Sequence, residues 1–229
     1  MTPPETSRRD PPRGRPFVVA APSGTGKTTV CRAALARDDR LRFSVSHTTR
    51  PPRAQERDGV DYHFVSTERF HELVKRDAFL EYAEYGDNLY GTSWDSLEGP
   101  LSEGWDLIVE IEVKGARQFR ERRRDACFVF LLPPSMATLR ERLRGRGTDS
   151  EETIAKRLAI AEQELEAVEF FDYAVVNDDL DEAVEAVLAI IRAERDGHTA
   201  PVRERYGQRA VFKAWQAADD PRGQGRARI

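Results

Sequence analysis

The sequence lacks the features of a secreted, disulfide-rich or membrane protein. Its 229 residues include only two cysteines, Cys31 and Cys127, and we interpret both as small buried side chains rather than as a disulfide or a metal pair. No apolar stretch approaches transmembrane length. Residues 1–16 are rich in Pro and Arg and have no hydrophobic signal core. We therefore expect a cytoplasmic protein with no membrane partner.

The sequence also lacks a strong excess of charge of one sign. Lys and Arg number 36 against 40 for Asp and Glu, which gives a formal net charge of −4 at pH 7. This balance argues against nucleic acid as a partner, because a general nucleic-acid binder would present a basic face. A chain of this length fits one α/β unit with small inserted subdomains. The oligomeric state stays open, and a homodimer is one alternative.

The chain is organised around a glycine-rich stretch, Ala21–Thr29 (APSGTGKTT). The apolar run Phe17–Ala20 leads into it, and a helix-like run leads out of it. Strand, glycine-rich turn and helix in this order are typical of a P-loop, whose backbone N–H groups wrap a phosphate. Lys27 would then reach the β- and γ-phosphates of a nucleotide, and the Thr28 hydroxyl would ligate Mg²⁺. Ala21 stands where the motif has its first glycine.

A basic loop follows the alternating run Leu41–Ser46, which predicts a strand. In this loop Arg50 and Arg53 flank two prolines that force an extended turn. Two guanidinium groups three residues apart suit bidentate contacts with a phosphate. A solvated basic loop is the alternative, and the P-loop nearby favours the phosphate site. The segment 50–92, rich in Tyr, charge and turns, predicts a small β-rich insertion.

Two acidic residues end a later apolar strand, which we predict over Leu107–Val113. Glu110 and Glu112 would lie at the carboxyl end of a core strand beside the P-loop. Carboxylates in that position commonly hold Mg²⁺, directly or through water. The alternative is an edge strand with two solvated glutamates.

Three arginines, Arg142, Arg146 and Arg157, flank a predicted helical hairpin. Thr148 and Asp149 stand at capping-box spacing before two glutamates, which predicts where the second helix starts. Glycines between the helices would let the hairpin close over a nucleotide and bring positive charge to a transferring phosphoryl group. Ordinary surface arginines are the alternative.

Strands and helices alternate along the chain, which predicts the α/β class. This alternation indicates a parallel sheet with right-handed crossovers, and ligands of such sheets bind at the carboxyl ends of the strands. The P-loop, Ser46, Glu110, Glu112 and Asn177 all stand at predicted strand ends. We therefore expect them to meet in one site.

Seven segments, in one order, resemble the guanylate kinase family. They are 21–28 (APSGTGKT), 44–53 (SVSHTTRPPR), 61–64 (DYHF), 79–83 (FLEYA), 89–92 (LYGT), 143–152 (LRGRGTDSEE) and 155–158 (AKRL). The match runs in register from about residue 16 to residue 195. The resemblance implies an α/β fold with a parallel-sheet P-loop kinase core, helices on both faces, a small β-rich GMP-binding insertion and a helical lid.

The resemblance also implies a division of the chain. The guanylate kinase domain, 16–196, would comprise a core (16–49, 93–133 and 160–196), a GMP-binding subdomain (50–92) and a lid (134–159). Outside it we expect a disordered arm over 1–15 and a basic, partly disordered segment over 197–229, in which 210–218 can form a short helix.

The implied activity is Mg²⁺-dependent phosphoryl transfer from ATP to GMP, which gives ADP and GDP. The residues matched to ATP binding are Ala21, Pro22, Ser23, Gly24, Thr25, Gly26, Lys27, Thr28, Thr29 and Asn177. Those matched to GMP binding are Ser46, Arg50, Arg53, Tyr62, Glu81, Tyr90, Thr92 and Glu112. The catalytic set would be Lys27, Arg50, Arg142, Arg146 and Arg157, and the metal-binding set Thr28 and Glu110.

Guanine chemistry agrees with the assignment of Glu81. The N1–H and 2-amino groups of guanine are adjacent donors, and one carboxylate can accept both. Adenine would leave that carboxylate unpaired, and rejection by an unpaired buried polar group can reach ~10⁴-fold. One pair of residues departs from the family, because Glu110 and Glu112 replace a common Asp-x-Asp and reach one methylene further; Lys114 also stands where Gln is common.

Two other functions are compatible with a guanylate-kinase-like sequence. One is a non-catalytic peptide-binding scaffold, and the other is a kinase of the same fold with a different phosphate acceptor. Retention of Lys27, Thr28 and the lid arginines argues against the scaffold. Glu81 together with Ser46 argues for GMP as the acceptor.

Overall fold

The most apolar runs of the sequence form the centre of a parallel sheet. The computed structural model describes residues 13–145 and 150–219. The strands are β1 (Pro16–Ala20), β2 (Leu41–Phe43), β3 (His47–Thr48), β4 (His63–Phe64), β5 (Phe79–Tyr85), β6 (Asn88–Ser93), β7 (Asp106–Glu110), β8 (Cys127–Leu132) and β9 (Tyr173–Val176). The helices are α1 (Lys27–Leu35), α2 (Thr67–Lys75), α3 (Trp94–Ser102), α4 (Val113–Arg122), α5 (Met136–Arg144), α6 (Glu151–Leu165), α7 (Leu180–Asp196), α8 (Ala200–Tyr206) and α9 (Gln208–Asp219), and a 3₁₀ turn spans Glu166–Phe170.

Five parallel strands form the main sheet in the order β2-β7-β1-β8-β9. Every side chain of β1 and β8 is buried, as expected for strands covered on both faces. Phe17 and Val19 pack in the layer that contains α1 and α7, whereas Val18 and Ala20 pack in the layer that contains α3, α4 and α9. The prediction of an α/β fold with a parallel P-loop core and helices on both faces is confirmed.

Both cysteines lie in the layer between the main sheet and the helices α1 and α7. Cys31 is on α1 and Cys127 on β8, and both are free and buried. Burial raises the pKa of each thiol well above its ordinary value. The prediction of small buried side chains is confirmed.

A second sheet has four strands in the order β4-β3-β6-β5. It includes β3, which lies outside the predicted insertion 50–92. The predicted strand over Leu41–Ser46 is wrong at its end, because β2 ends at Phe43 and the chain crosses to the second sheet. The carbonyl oxygen of Ser46 accepts the N–H of His63 at 2.8 Å, which holds the crossing chain beside β4.

The predicted strand over Leu107–Val113 is also too long. β7 spans Asp106–Glu110, and the chain then turns into α4, with Glu112 at its N-cap position. The two acidic residues are thereby separated: Glu110 ends the strand, and Glu112 begins the helix.

The helices of the predicted lid, α5 and α6, pack on each other through a small core of their own, formed by Leu139, Leu143, Ile154, Leu158 and Ala161. The predicted lid residue Arg146 falls in the range 146–149, outside the described residues. The N-cap of α6 is Ser150, whose hydroxyl accepts the N–H of Thr153, so the prediction that Thr148 or Asp149 caps this helix is wrong.

The beginning of the described chain contacts the core. Of the predicted disordered arm, residues 1–12 lie outside the described residues. The expectation is wrong for the last part of the arm, because Gly14 donates its N–H to the carbonyl oxygen of Leu101 at 2.9 Å. Arg15 likewise donates its N–H to a carboxylate oxygen of Asp106 at 2.8 Å.

The chain after α7 forms two helices, so the expectation of partial disorder is wrong for 200–219. The short helix expected over 210–218 is part of α9, and α8 precedes it. Val211, Phe212 and Trp215 share one face of α9 and pack against the core, where Trp215 is 7% exposed. Residues 220–229 lie outside the described part of the chain. Within the described ranges, no helix is long and apolar enough to cross a membrane.

Candidate active site

The loop between β1 and α1 has the backbone of a phosphate-binding turn. Gly24 and Gly26 have φ angles of 94° and 97°, in the left-handed region that favours glycine. A Cβ atom on Gly26 would lie 2.7 Å from Nδ2 of Asn177, and one on Gly24 would lie 2.9 Å from Cδ2 of Leu143. The side chain of Thr25, between the glycines, is fully buried. The loop therefore needs both glycines for its conformation and for close packing.

Lys27 directs its ammonium group to the end of β7. Its Nζ donates to the carbonyl oxygen of Ile111 at 2.7 Å and to Oε1 of Glu112 at 3.4 Å. Burial alone lowers the pKa of Lys27, but the charges of Glu112 and Glu110 outweigh burial and raise this pKa above its ordinary value. Lys27 is therefore a charged group at neutral pH, held by partners that an anionic ligand can replace.

Thr28 and Glu110 bring two oxygen atoms together beside the P-loop. The Thr28 hydroxyl donates to Oε1 of Glu110. The parallel pairing of β1 with β7 explains the contact, because it aligns the end of β7 with the start of α1. Hydroxyl and carboxylate oxygens are ligands that Mg²⁺ accepts.

Glu81 supplies a buried carboxylate on the second sheet. Its Oε1 accepts the backbone N–H of Thr92 at 3.0 Å and the Thr92 hydroxyl at 2.7 Å, and the Ser46 hydroxyl lies 3.2 Å from that hydroxyl. Burial raises the pKa of Glu81 to about 7, although the Thr92 hydrogen bonds and the charge of Lys27 favour the ionised form. A Cβ on Gly115 would lie 2.4 Å from Oε2 of Glu81, so this glycine leaves room for the carboxylate.

Glu56 holds both arginines of the basic loop. Its Oε1 accepts from the Arg50 guanidinium and its Oε2 from the backbone N–H of Arg53, each at 2.8 Å. Burial raises the pKa of Glu56, but the Arg53 N–H and the Arg50 guanidinium outweigh this effect and lower it. The Arg50 guanidinium also lies 5.6 Å from the ring centre of Tyr62, and Tyr62 lies 6.1 Å from Tyr90. In this loop the Arg50 guanidinium is held by Glu56 beside Tyr62, whereas Arg53 is fixed through its backbone and has an exposed side chain.

Arg142 and Asn177 both contact the P-loop backbone. The carbonyl oxygen of Thr25 accepts from Arg142 at 3.2 Å and from the side-chain amide of Asn177 at 2.7 Å. Arg142 also donates to the carbonyl oxygen of Asn177 at 3.0 Å. These contacts connect the lid helix α5, the end of β9 and the P-loop. Arg157 lies half-buried on α6.

A cavity of about 340 Å³ joins the P-loop to the second sheet. The predicted site residues in its lining are Ala21, Pro22, Ser23, Gly24, Gly26, Lys27, Thr28, Thr29, Ser46, Arg53, Tyr62, Glu81, Tyr90, Glu110 and Glu112. The predicted residues outside the lining are Thr25, Arg50, Thr92, Arg142, Arg157 and Asn177. Of the residues predicted to meet at strand ends, Ser46, Glu110 and Glu112 line the cavity with the P-loop, although β2 ends before Ser46. Asn177 contacts the loop from outside the cavity.

Sequence reasoning missed three groups around the site. Glu56 stands three residues after Arg53, a spacing that could have suggested a partner for the basic loop. Gly115 is a glycine inside a helix, which is a signal of close packing. Glu164 on α6 gives no signal, yet its Oε2 is buried and has no hydrogen-bond partner among the described residues; burial and then Glu112 raise its pKa to about 7.

Comparison with known proteins agrees with this geometry. Residues 13–194 match the family model described as guanylate kinase. The chain belongs to the guanylate kinase family. The guanylate kinases of Neisseria gonorrhoeae and Thermus thermophilus are 50% and 53% identical to it over 183 residues, which cover 80% of this chain and 89% and 83% of those proteins.

A solved structure supports the same family. The crystal structure of guanylate kinase from Anaplasma phagocytophilum is 34% identical, covers 80% of this chain and 87% of its own, and has a TM-score of 0.66. The predictions of a transferase and of a kinase are thereby confirmed for this member of the guanylate kinase family. The helices α8 and α9 follow the residues that match the family model.

Proposed function

We propose that this member of the guanylate kinase family transfers the γ-phosphoryl group of ATP to GMP, with Mg²⁺, and releases ADP and GDP. The observation that supports the proposal is one cavity lined both by Lys27 on the P-loop and by the buried Glu81 carboxylate on the second sheet. A triphosphate on the P-loop would face a purine base bound at Glu81. The two substrates would therefore be aligned without any covalent role for the protein.

Glu81 would select guanine. Its Oε1 is engaged by Thr92, while its remaining lone pairs stay available to the N1–H and 2-amino donors of guanine. Ser46 and Thr92 would offer hydroxyl groups to the edge of the base, and Glu112 would add a second carboxylate on the same side of the cavity. Adenine lacks the paired donors and would leave Glu81 buried without a partner.

The phosphate of GMP would bind at the basic loop. Arg53, Tyr62 and Tyr90 line the cavity, and Arg50 stacks near Tyr62 while Glu56 orients it. Guanidinium and phenol groups supply several donors to a phosphate dianion. Binding there would point one phosphate oxygen towards the P-loop as the acceptor of the phosphoryl group.

The donor phosphates would bind at the P-loop. The backbone of residues 21–29 would surround them, and Lys27 would exchange the carbonyl of Ile111 for a phosphate oxygen. Arg142, Arg157 and Arg146, the last outside the described residues, would add positive charge as the lid closes. Asn177 would support the ATP site through its hydrogen bond to Thr25.

Thr28 and Glu110 fit a magnesium ion because they already bring a hydroxyl and a carboxylate oxygen into contact beside Lys27. Among the described residues no group of three His, Cys, Asp or Glu side chains could hold a metal. This agrees with an ion bound largely through substrate phosphates and water. When bound, Mg²⁺ would neutralise charge on the donor phosphates. The cytoplasmic location and a homodimer stay predictions.

The decisive experiment is an ADP-release assay with ATP and each of GMP, AMP, UMP and dTMP, with Mg²⁺ and with EDTA. We expect turnover with GMP, at most a trace with AMP, and loss of turnover with EDTA. Equal rates with AMP and GMP would indicate a kinase with another acceptor, and no turnover with any acceptor would favour a non-catalytic scaffold.

Removal of the Lys27 ammonium tests the donor site. We expect Lys27→Ala to lower kcat at least about 10²-fold, because a preorganised charge at the phosphates is lost. Lys75→Ala, a change of an exposed lysine on α2, is the matched control and should keep full activity. Thermal unfolding of both variants checks that the fold is intact.

A further inference from the structure

The helix α9 reaches the base of the lid, although it lies after the residues that match the family model. Its apolar face packs on the main sheet's core, with the rings of Phe212 and Trp215 stacked at 5.8 Å. The residue between α8 and α9, Gly207, forms an antiparallel bridge with Tyr173 on the edge strand β9. The core therefore holds α9 in place, and the side chains near the end of α9 can contact the start of the lid.

Two side chains of α9 bind the backbone of the segment 133–135 between β8 and α5, which we call the hinge, and of the residue that follows it. The indole N–H of Trp215 donates to the carbonyl oxygen of Pro133 at 2.6 Å. The N–H of Met136, the first residue of α5, donates to a carboxylate oxygen of Asp219 at 3.1 Å. Two consecutive prolines already restrict the backbone of the hinge. The two hydrogen bonds from α9 restrict it further.

The orientation of α5 reaches the P-loop directly. Leu139 and Leu143 of α5 lie against Gly24, where a Cβ atom would be 3.1 Å and 2.9 Å from them. Arg142 of α5 donates to the carbonyl oxygens of Thr25 and Asn177. Any rotation of α5 at its base therefore moves groups that touch the donor loop.

We propose that Trp215 and Asp219 are positioning residues that set the orientation of α5, and through it the affinity of the P-loop for ATP. Asp219 acts as a cap from outside the helix, because its carboxylate accepts a backbone N–H in the first turn of α5, where negative charge is favoured. Trp215 fixes the chain three residues earlier. The inference rests on the proposed function in one respect, namely that ATP is the ligand of the P-loop.

The test compares Asp219→Ala with Asp219→Asn, and Trp215→Phe with Gln216→Ala. Asn keeps an oxygen that accepts the Met136 N–H, and Phe keeps the ring stack while it removes the indole donor. Gln216, the exposed neighbour of Trp215 on α9, serves as the control. We expect Asp219→Ala and Trp215→Phe to raise KM for ATP about fivefold, the equivalent of one lost helix cap, with KM for GMP changed less than twofold. Asp219→Asn and Gln216→Ala should match the wild-type protein.

A second measurement does not depend on turnover. Amide hydrogen exchange over residues 133–145 should be faster in Asp219→Ala and Trp215→Phe and normal in Asp219→Asn. The affinity for a non-hydrolysable ATP analogue should fall in the same two variants. If wild-type protein gave no turnover with GMP, the proposed function would fail while exchange and analogue binding still decided the inference. Unchanged exchange, equal shifts of both KM values, or no rescue by Asn would overturn it.

Discussion

At the scale of single residues, the buried carboxyl group of Glu81 couples substrate binding to pH. Its pKa of about 7 follows from burial, and its neighbours include Thr92, Lys27 and Glu112. Guanine donors need the ionised form, so GMP binding should strengthen as pH rises through 7. We expect KM for GMP to fall about tenfold between pH 6 and pH 8, beyond the change in Glu81→Gln, because the ionised fraction changes by that factor.

The same group makes an opposite contribution to stability. The folded protein holds the Glu81 proton up to a pKa of about 7, above the ordinary value of 4.5, so stability falls as pH rises between these values. Relative to wild type, Glu81→Gln should therefore gain stability from pH 5 to pH 8, by at most about 3 kcal/mol. Denaturant unfolding at the two pH values measures this, and a constant difference would contradict a raised pKa in the folded state.

Glu56 gives a second prediction at this scale. Its carboxylate orients Arg50 and the backbone of Arg53, so Glu56→Ala should raise KM for GMP about tenfold, the cost of a lost charged hydrogen bond, and leave KM for ATP unchanged. Gln55→Ala, at the exposed neighbouring position, is the control for a general loosening of the loop. A lower KM for GMP would show instead that Glu56 competes with the substrate phosphate for Arg50.

At the scale of elements, helix α4 has a glycine where helix propensity alone would favour alanine. Gly115→Ala should favour the helix by about 1 kcal/mol. The added Cβ would also lie 2.4 Å from the Glu81 carboxylate and push it out of place, which should lower kcat/KM for GMP about 10²-fold. Stability and kinetics measured on one preparation separate the two effects. Lys114→Ala, an exposed change in the same turn, should alter neither, and normal kinetics in Gly115→Ala would contradict the steric argument.

The elements that the sequence predicted well are those determined by local pattern. β8 is a continuous apolar run, and β1 is a short apolar run directly before the glycine-rich loop. Both strands can therefore be predicted from the local sequence alone. The end of β2 did not, because Ser46 lies in an alternating run whose partner changes from β7 to β4 through a contact with His63. The start of α6 was missed for a different reason. Ser150 and the two residues before it are all suitable N-caps, so the local sequence does not select one of them.

At the scale of the whole molecule, one ion-pair network connects the amino ends of three strands of the main sheet, remote from the cavity. Arg195 at the end of α7 donates to Asp106 at 2.6 Å and to Asp38 at 2.9 Å, and Asp106 also accepts the N–H of Arg15. These groups lie at the amino ends of β7, β2 and β1, whereas the cavity lies at the carboxyl ends of the strands. The network should therefore matter for folding and not for turnover.

Arg195→Met tests this separation. Loss of the guanidinium leaves Asp106, which is 2% exposed, without its charge partner, so the free energy of unfolding should fall by about 3 kcal/mol. KM and kcat should stay within twofold of wild type. Arg192→Met, which removes an exposed arginine one turn earlier, should change stability by less than about 0.5 kcal/mol. Chemical denaturation and steady-state kinetics provide the two readouts.

The whole-molecule arrangement shows the limit of reasoning from the sequence. Among the cavity residues, Lys27 was predicted from the P-loop motif, Glu110 from its position at the end of a core strand, and Glu81 from the resemblance to the guanylate kinase family. Helix α8 was not predicted, because it has little apolar periodicity. Helix α9 was predicted only as a short helix over 210–218, because it becomes stable through Trp215 and its contact with Pro133, 82 positions away in sequence. The contacts of Arg142 with Thr25 and Asn177 are equally non-local.

The reactivity of the two buried thiols reports on local opening of the folded protein. Cys31 sits in the helix that begins at the P-loop, and Cys127 sits in the strand beside the one that precedes it. Neither meets solvent in the closed layer, and burial keeps both in the unreactive thiol form. Reaction of either thiol with an alkylating reagent therefore requires an opening of the layer beneath the phosphate loop, and the rate of modification reports on that opening. A ligand bound to that loop would stabilise the closed layer and slow the alkylation of both thiols.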